Sequence, residues 1–224
     1  MQTASSLAID RTIVEALVRQ IVGERLGRAV KTGAPQLVVH ASARHMHLCR
    51  ADLDKLFGPG AQLTADRPLY QEGNFAAKET VTLIGPRSRL ISNLRILGPL
   101  RDHSQIELAF TDAISLGFDA LPIRLSGDIA GTPGAFVMGP QGVVELKEGV
   151  IRAAIHAHMN PAEAAYYGVR QGDLMKLRVG GAAGMTFERV HVRVDPRSRL
   201  NVHMDTDEAN ACGLHLAQEI ELVK

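Results

Sequence analysis

The chain has 224 residues, 46% of them hydrophobic, and a formal net charge of +1 from 25 basic and 24 acidic side chains. That length can bury a core without disulfide staples, and a near-neutral balance with no basic block leaves no electrostatic footprint for nucleic acid. Two cysteines, no apolar run near the roughly 18 residues of a membrane span, and no secretion signal point to a cytoplasmic protein of the reducing cytosol, not a membrane protein.

In chain order, the first predicted element is a helix. Ile9, Ile13, Val14, Leu17, Val18, Ile21, Val22 and Leu26 recur at steps of three and four, which places them on one stripe. The helix is expected within residues 1–30, with a linker at 31–36 carrying Gly33 and Pro35. One reading packs the stripe on its own domain. The other docks residues 9–26 into a groove of another protein. The polar face mixes both charge signs, which argues against a membrane surface.

The rest of the chain reads as an internal repeat. His45-Met-His47 and His156-Ala-His158 each precede a short helix, and Asn160-Pro161 makes a good N-cap and first turn. Val81–Gly85 resembles Leu177–Gly181, Leu94–Pro99 resembles Val192–Pro196, and Ile106–Ala113 resembles Val202–Ala209. Both copies then reach a glycine, Gly117 or Gly213, after a short helix that a Thr-Asp pair is expected to cap. The expected fold is mainly β with short helices. It comprises two repeated β-barrel domains related by a pseudo-twofold, at 37–124 and 147–224, plus the N-terminal amphipathic helix. Residues 125–146 form a Gly-rich connection with a hairpin at Gly139-Pro-Gln-Gly142.

In a strand, His-x-His turns both imidazoles to one face, a common start for a transition-metal site. One such motif is weak evidence, but here both copies carry it. Where the first copy continues with Glu107, the second has His203, and both residue types ligate metals. The candidates are therefore His45, His47 and Glu107 in one set, and His156, His158 and His203 in the other. Packing about a pseudo-twofold would join them into a dinuclear centre, with zinc favoured by the imidazoles. Cys49 reads as a buried inert thiol, and His40, His103, His191 and His215 as structural or exposed. Arg101, in a Gly-Pro-Leu-Arg turn, could clamp phosphate or make a surface salt bridge. Ser126-Gly-Asp128 could supply a hydroxyl and backbone donors or be an ordinary turn. No phosphate-loop or dinucleotide fingerprint occurs.

These motifs resemble the PduL-type phosphate propanoyltransferases, the phosphotransacylases of bacterial microcompartments. The matching strings are SARHMHL (42–48), NFAAKETVTLIGP (74–86), LGPLRDHSQIEL (97–108), SGDIAGTPG (126–134), EGVIRAAIHAHMNP (148–161) and NVHMDTDEANACGL (201–214). The resemblance implies two β-barrel domains, two zinc ions per chain, and acyl transfer between coenzyme A and phosphate. It matches both His-x-His pairs, Glu107 and His203 to metal ligands and Arg101 to a phosphate-binding arginine. It also implies that residues 9–26 contact microcompartment shell or cargo proteins, with the enzyme encapsulated there. Ala43, Cys49, Tyr70 and Glu72 depart from the usual pattern and leave acyl-chain preference open. A homo-oligomer is also allowed. The rival readings are a dinuclear metal-dependent thioesterase or other hydrolase, and a scaffold module with structural metals.

Overall fold

The computed structural model describes residues 33–224. The amphipathic segment at 9–26 lies outside the described residues. Residues 37–224 form one compact unit.

The first half runs β1 (Val38–Ser42), β2 (His45–His47), α1 (Arg50–Phe57), β3 (Ala65–Pro68), β4 (Phe75–Ile84), β5 (Leu90–Gly98), β6 (Gln105–Glu107) and α2 (Phe110–Leu116). Next come β7 (Ile123–Arg124), β8 (Ala135–Met138) and β9 (Val143–Leu146). The second half runs β10 (Val150–Ala153), β11 (His156–Met159), α3 (Pro161–Tyr167), β12 (Leu174–Gly180), β13 (Met185–Val194), β14 (Asn201–Asp205), α4 (Thr206–Ala211) and β15 (Glu219–Val223). The described chain is mainly β with short helices, built on two curled half-barrel sheets. None of its helices is long and apolar enough to cross a membrane.

The repeat survives as topology. One sheet contains the run β6-β2-β5-β4 and the other the run β14-β11-β13-β12. Within each run the first pair is antiparallel, the second parallel and the third antiparallel. The register matches as well. His45 lies opposite Glu107 in one sheet, and His156 lies opposite His203 in the other.

Nothing in the sequence repeat signals the reciprocal exchange of leading strands. β1 precedes the first His-x-His strand, yet it runs parallel to β14 of the second sheet. β10 precedes the second His-x-His strand, yet it runs parallel to β6 of the first sheet. Each sheet is therefore completed by a strand from the other half. Side chains reinforce this exchange. Arg152 of β10 bonds the carboxylate of Asp205 and lies 2.5 Å from Glu208 Oε1. Its guanidinium sits 4.5 Å over the Phe110 ring. Thr111 donates its backbone N–H and its hydroxyl to Asp207 at 2.9 and 2.6 Å.

Local chemistry explains the element boundaries. Asn160 caps α3 by accepting from Ala162 and Glu163, while Glu163 reaches back in a capping box. In α4 the cap is Asp205, one residue before the expected Thr-Asp pair, again with a capping box to Glu208. α2 has no side-chain cap, because its N-cap is Ala109; Thr111 lies inside the first turn, with its hydroxyl on Asp207. The expected hairpin at 139–142 joins β8 to β9, and this pair extends the first sheet. Its glycines are required by close approach to α1. A Cβ on Gly139 would lie 2.5 Å from the Leu56 carbonyl, and one on Gly142 2.6 Å from that of Lys55.

Strand alternation separates two functions. Met46, Ile96 and Ile106 point into one apolar core, and Ala157, Met159, Val202 and Met204 into a second. Their sequence neighbours, His45, His47, Gln105 and Glu107 on one sheet and His156, His158, Asn201 and His203 on the other, point to the opposite faces. Burying the apolar alternates thus aims the polar ones at the space between the sheets.

Candidate metal centre

The first set closes tightly. His45, His47 and Glu107 are all buried, and one ligand atom from each lies within 4.8 Å of the others. His45 Nε2 is 3.5 Å from Glu107 Oε2, and His47 Nε2 is 3.9 Å from Oε1. His45 Nδ1 donates to the Ala43 carbonyl at 2.9 Å. A carbonyl can only accept, so in the neutral ring Nε2 is unprotonated and turns a lone pair toward a carboxylate. Lone pair facing lone pair is repulsive unless a cation lies between them. The second nitrogen of His47, Nδ1, is buried without a partner among the described residues. This donor set fits a divalent transition metal.

The second set repeats the plan with one difference. His156 Nδ1 donates to the Ala154 carbonyl at 2.8 Å, which frees Nε2 in the same way. The rings of His156, His158 and His203 cluster with centroids 4.9 to 5.3 Å apart. Their nitrogens do not all fall within 4.8 Å of one another. The reason is visible at His203. The Asn201 side-chain amide lies 2.8 Å from His203 Nε2 and 2.8 Å from His40 Nδ1, donating to both. Ser42 Oγ meets His203 Nδ1 at 3.2 Å.

A narrow cavity lies between the two sets, lined by His45, Glu107, His156 and His203 together with Ser42 and Ala153. Burial, with neighbouring rings adding, pushes the imidazoles down, His47, His158 and His203 to about 3 and His156 to about 4. They are neutral at pH 7, as ligation requires. Burial would raise Glu107, but His45, His47 and the Ser126 hydroxyl hold its carboxyl down to about 2.

Arg101 and Ser126 join the first set directly. The Arg101 backbone N–H bonds the Leu48 carbonyl at 2.9 Å, which ties its turn to the end of β2. Its Nη1 donates to Ser126 Oγ at 3.0 Å, and Ser126 Oγ donates to Glu107 Oε1 at 2.7 Å. The salt bridge considered for Arg101 does not form among the described residues. Cys49 is half-buried and donates to Asp52, apart from the ligands.

The family model described as phosphate propanoyltransferase matches residues 38–215. The chain belongs to the phosphate propanoyltransferase family. It is 51% identical over 221 residues to the phosphate propanoyltransferase of Planctopirus limnophila, covering 96% of this chain and 90% of that protein. It is 45% identical over 191 residues to that of Thermotoga maritima, covering 85% and 90%. It is 41% identical over 216 residues to that of Listeria monocytogenes, covering 96% and 98%. Membership in the phosphate propanoyltransferase family makes the chain an acyltransferase.

Four residues of this centre escaped the sequence reading. Gln105 donates to Glu107 Oε1 at 2.7 Å and to Ser126 Oγ at 2.9 Å, and it accepts from Gly127 N–H at 2.7 Å. Asn201 is its counterpart in the other sheet. Both stand two residues before the third ligand, a spacing visible once the repeat is aligned. His40, read as structural or exposed, bonds Asn201 and packs edge-on against His203. Arg193 lies beside His158 in register; the sequence repeat pairs it with Arg95, which turns to the Ala77 carbonyl and so does not flag it.

Proposed function

We propose that this protein reversibly transfers a short acyl group, propanoyl or acetyl, between coenzyme A and inorganic phosphate at a dinuclear zinc site. One zinc is assigned to His45, His47 and Glu107, the other to His156, His158 and His203. The observation that carries this reading is the convergence of His45 and His47 on the Glu107 carboxylate, with His45 Nε2 3.5 Å from Oε2. In the forward direction a phosphate oxygen attacks the thioester carbonyl carbon. A C–O bond forms, the C–S bond breaks, and coenzyme A leaves as a thiolate that takes a proton from solvent. The bound cations would supply Lewis acidity, polarising the thioester carbonyl and screening the phosphate charge.

The protein's own groups position and exclude. Phosphate is already an anion, so no strong base is needed. Ser126 spends its proton on Glu107 and accepts from Arg101, which fixes the guanidinium and leaves its other N–H groups free for a phosphate oxygen. Holding both reactants beside a buried centre removes much of the entropic barrier. The reading extends to residues 1–30 as a separate targeting helix joined by a 31–36 linker. That helix would address the enzyme, made in the cytoplasm, to a microcompartment shell.

The test is thiol release from propanoyl-CoA and acetyl-CoA with and without phosphate. Release that depends on phosphate, with an acyl phosphate formed mole for mole, is expected. Phosphate-independent release would make the protein a hydrolase, and no turnover would leave a structural module.

A further inference from the structure

Among the described residues, Arg193 has no carboxylate within ion-pair distance. It projects from β13 on the face shared with His158. Its one hydrogen bond to a described residue is a long one, Nη1 to the Ser126 carbonyl at 3.5 Å. Arg101 likewise has no carboxylate within ion-pair distance among the described residues. Two guanidinium groups thus converge on Ser126 from the two halves, Arg101 on its hydroxyl and Arg193 on its carbonyl. Glu107, linked to Arg101 through Ser126, is one anion for two mutually repelling guanidinium groups, and a second anion between them would be stabilised by both.

The second half could have used a different arginine. Arg197 occupies the turn that corresponds to Gly98–Arg101 in the repeat. It is instead 83% exposed at its side chain and lies 3.5 Å from Asp195 Oδ1. Arg193 takes the inward position. It also lines an open cleft of about 510 Å³ whose wall includes His158, Gln71, Asn74 and Gln171. The wall carries amides, the Arg193 and Arg197 guanidinium groups and the Glu72 and Asp195 carboxylates; Asp195 is taken up by Arg197, and this polar lining suits a hydrated ion and offers little to an apolar chain.

We propose that Arg193 is a second phosphate-binding arginine, which with Arg101 clamps inorganic phosphate across Ser126 as it enters through the cleft at His158. The proposal rests on the phosphotransacylase reading above. Arg101 supplies N–H donors from the Glu107 side and Arg193 from the His158 side. The anion is thereby fixed between the two ligand sets instead of beside one of them.

The experiment measures KM for phosphate and for propanoyl-CoA in Arg193→Gln and Arg193→Lys, with zinc content measured on the same samples. Arg193→Gln should raise KM for phosphate at least about tenfold, as expected for a lost charge-assisted pair, and keep KM for propanoyl-CoA within about twofold. Lysine keeps the charge and loses the fork, so Arg193→Lys should fall between. Unchanged KM for phosphate overturns the proposal. A rise in KM for propanoyl-CoA alone also overturns it and moves the arginine to the phosphates of coenzyme A. A fall in kcat with both KM values unchanged overturns it too, leaving Arg193 as a brace for the Ser126 loop. Should Arg193→Gln fail to fold, Arg193→Lys decides by the same criteria, with a rise of about threefold or more in KM for phosphate required. Failure of the parent reading is distinguishable, because then the unmodified enzyme releases thiol without phosphate.

Discussion

The two ligand sets share strand order, strand direction and register, and differ in their third member. In the first sheet that member is an anion, Glu107, which collects bonds from Gln105 and Ser126 and through Ser126 links to Arg101. In the second it is a neutral ring, His203, held by Asn201 on one nitrogen and Ser42 on the other. Duplication kept the backbone and changed the charge. A cation in the first set would lose one unit of charge to its ligands, and one in the second none. Arg101 and Ser126 sit against the anionic set. A pseudo-symmetric frame can thus hold one backbone geometry while the side chains facing between the sheets change in charge and in hydrogen-bond partners.

The largest effect should come from removing a ligand in either set. His45→Ala and His158→Ala are each expected to cut kcat/KM at least about a thousandfold, the several kcal/mol that metal catalysis supplies. Elemental analysis should show about two zinc ions in the parent and about one in each variant. If one variant loses both ions and the other loses one, the sets are hierarchical and not parallel. Active parent protein without bound metal would sink the dinuclear assignment altogether.

The next test addresses the exchange of β1 and β10. Arg152 and Glu208 are half-buried and Asp205 is buried, so Arg152→Ala leaves two carboxylates facing each other in a half-dry site. Breaking such a group by deleting one partner costs about 3–5 kcal/mol. β1 has no arginine to match, and Ala41 follows His40 where Arg152 follows Ile151. Chemical denaturation of Arg152→Ala should therefore show a clear loss of midpoint. An unchanged midpoint would mean that the exchange is held by backbone pairing alone.

A smaller effect separates the two amides. Gln105→Ala removes three bonds around Glu107, and Asn201→Ala removes donors to His203 and His40 together with the acceptor for Gln71. Residues that orient metal ligands are typically worth about 10–100-fold in metal affinity. Gln105→Ala should also raise KM for phosphate, since it loosens Ser126 and hence Arg101. Asn201→Ala frees the His203 Nε2 lone pair and should change zinc content of the second set with that KM unchanged. Equal effects on phosphate would erase the proposed division between the halves.

What was legible in the sequence was what a local pattern can encode. His-x-His with an Asn-Pro start was readable because strand alternation and helix capping act within a few residues. Glu107 and His203 were readable because the copies align. The exchange of β1 and β10 was not readable, because strand pairing between distant segments leaves no trace in either copy. Arg193 was missed for a related reason. Its neighbour His158 is 35 residues away in sequence and adjacent only through parallel pairing. The Thr-Asp cap failed because both helices start earlier than the pair, with Ala109 and Asp205 in the N-cap positions.

The smallest effect is expected at the N-terminus, where the comparison has only one side. The stripe at Ile9–Leu26 has no counterpart ahead of β10, so nothing in the repeated frame calls for it. The frame does call for β1 and the residue before it. Leu37 and Val39 pack on the second core, and β1 carries His40 and Ser42 to His203. A chain starting at Gln36 keeps all of these. Its zinc content should be unchanged and its kcat/KM within about twofold, the range of substitutions that touch nothing structural. It should also self-associate less, because an undocked apolar stripe is an aggregation surface. Fusing residues 1–30 to an unrelated soluble reporter should recruit it to a shell in a host that makes one. A charge at Leu17 or Val18 should block recruitment, since burying it mid-stripe is costly. Loss of zinc in the shortened chain would instead assign the helix to the catalytic body. A chain starting at Ala43 provides the contrast. It lacks β1, so the second sheet loses its exchanged strand, and zinc should be lost from the His203 set while the His45 set retains its own.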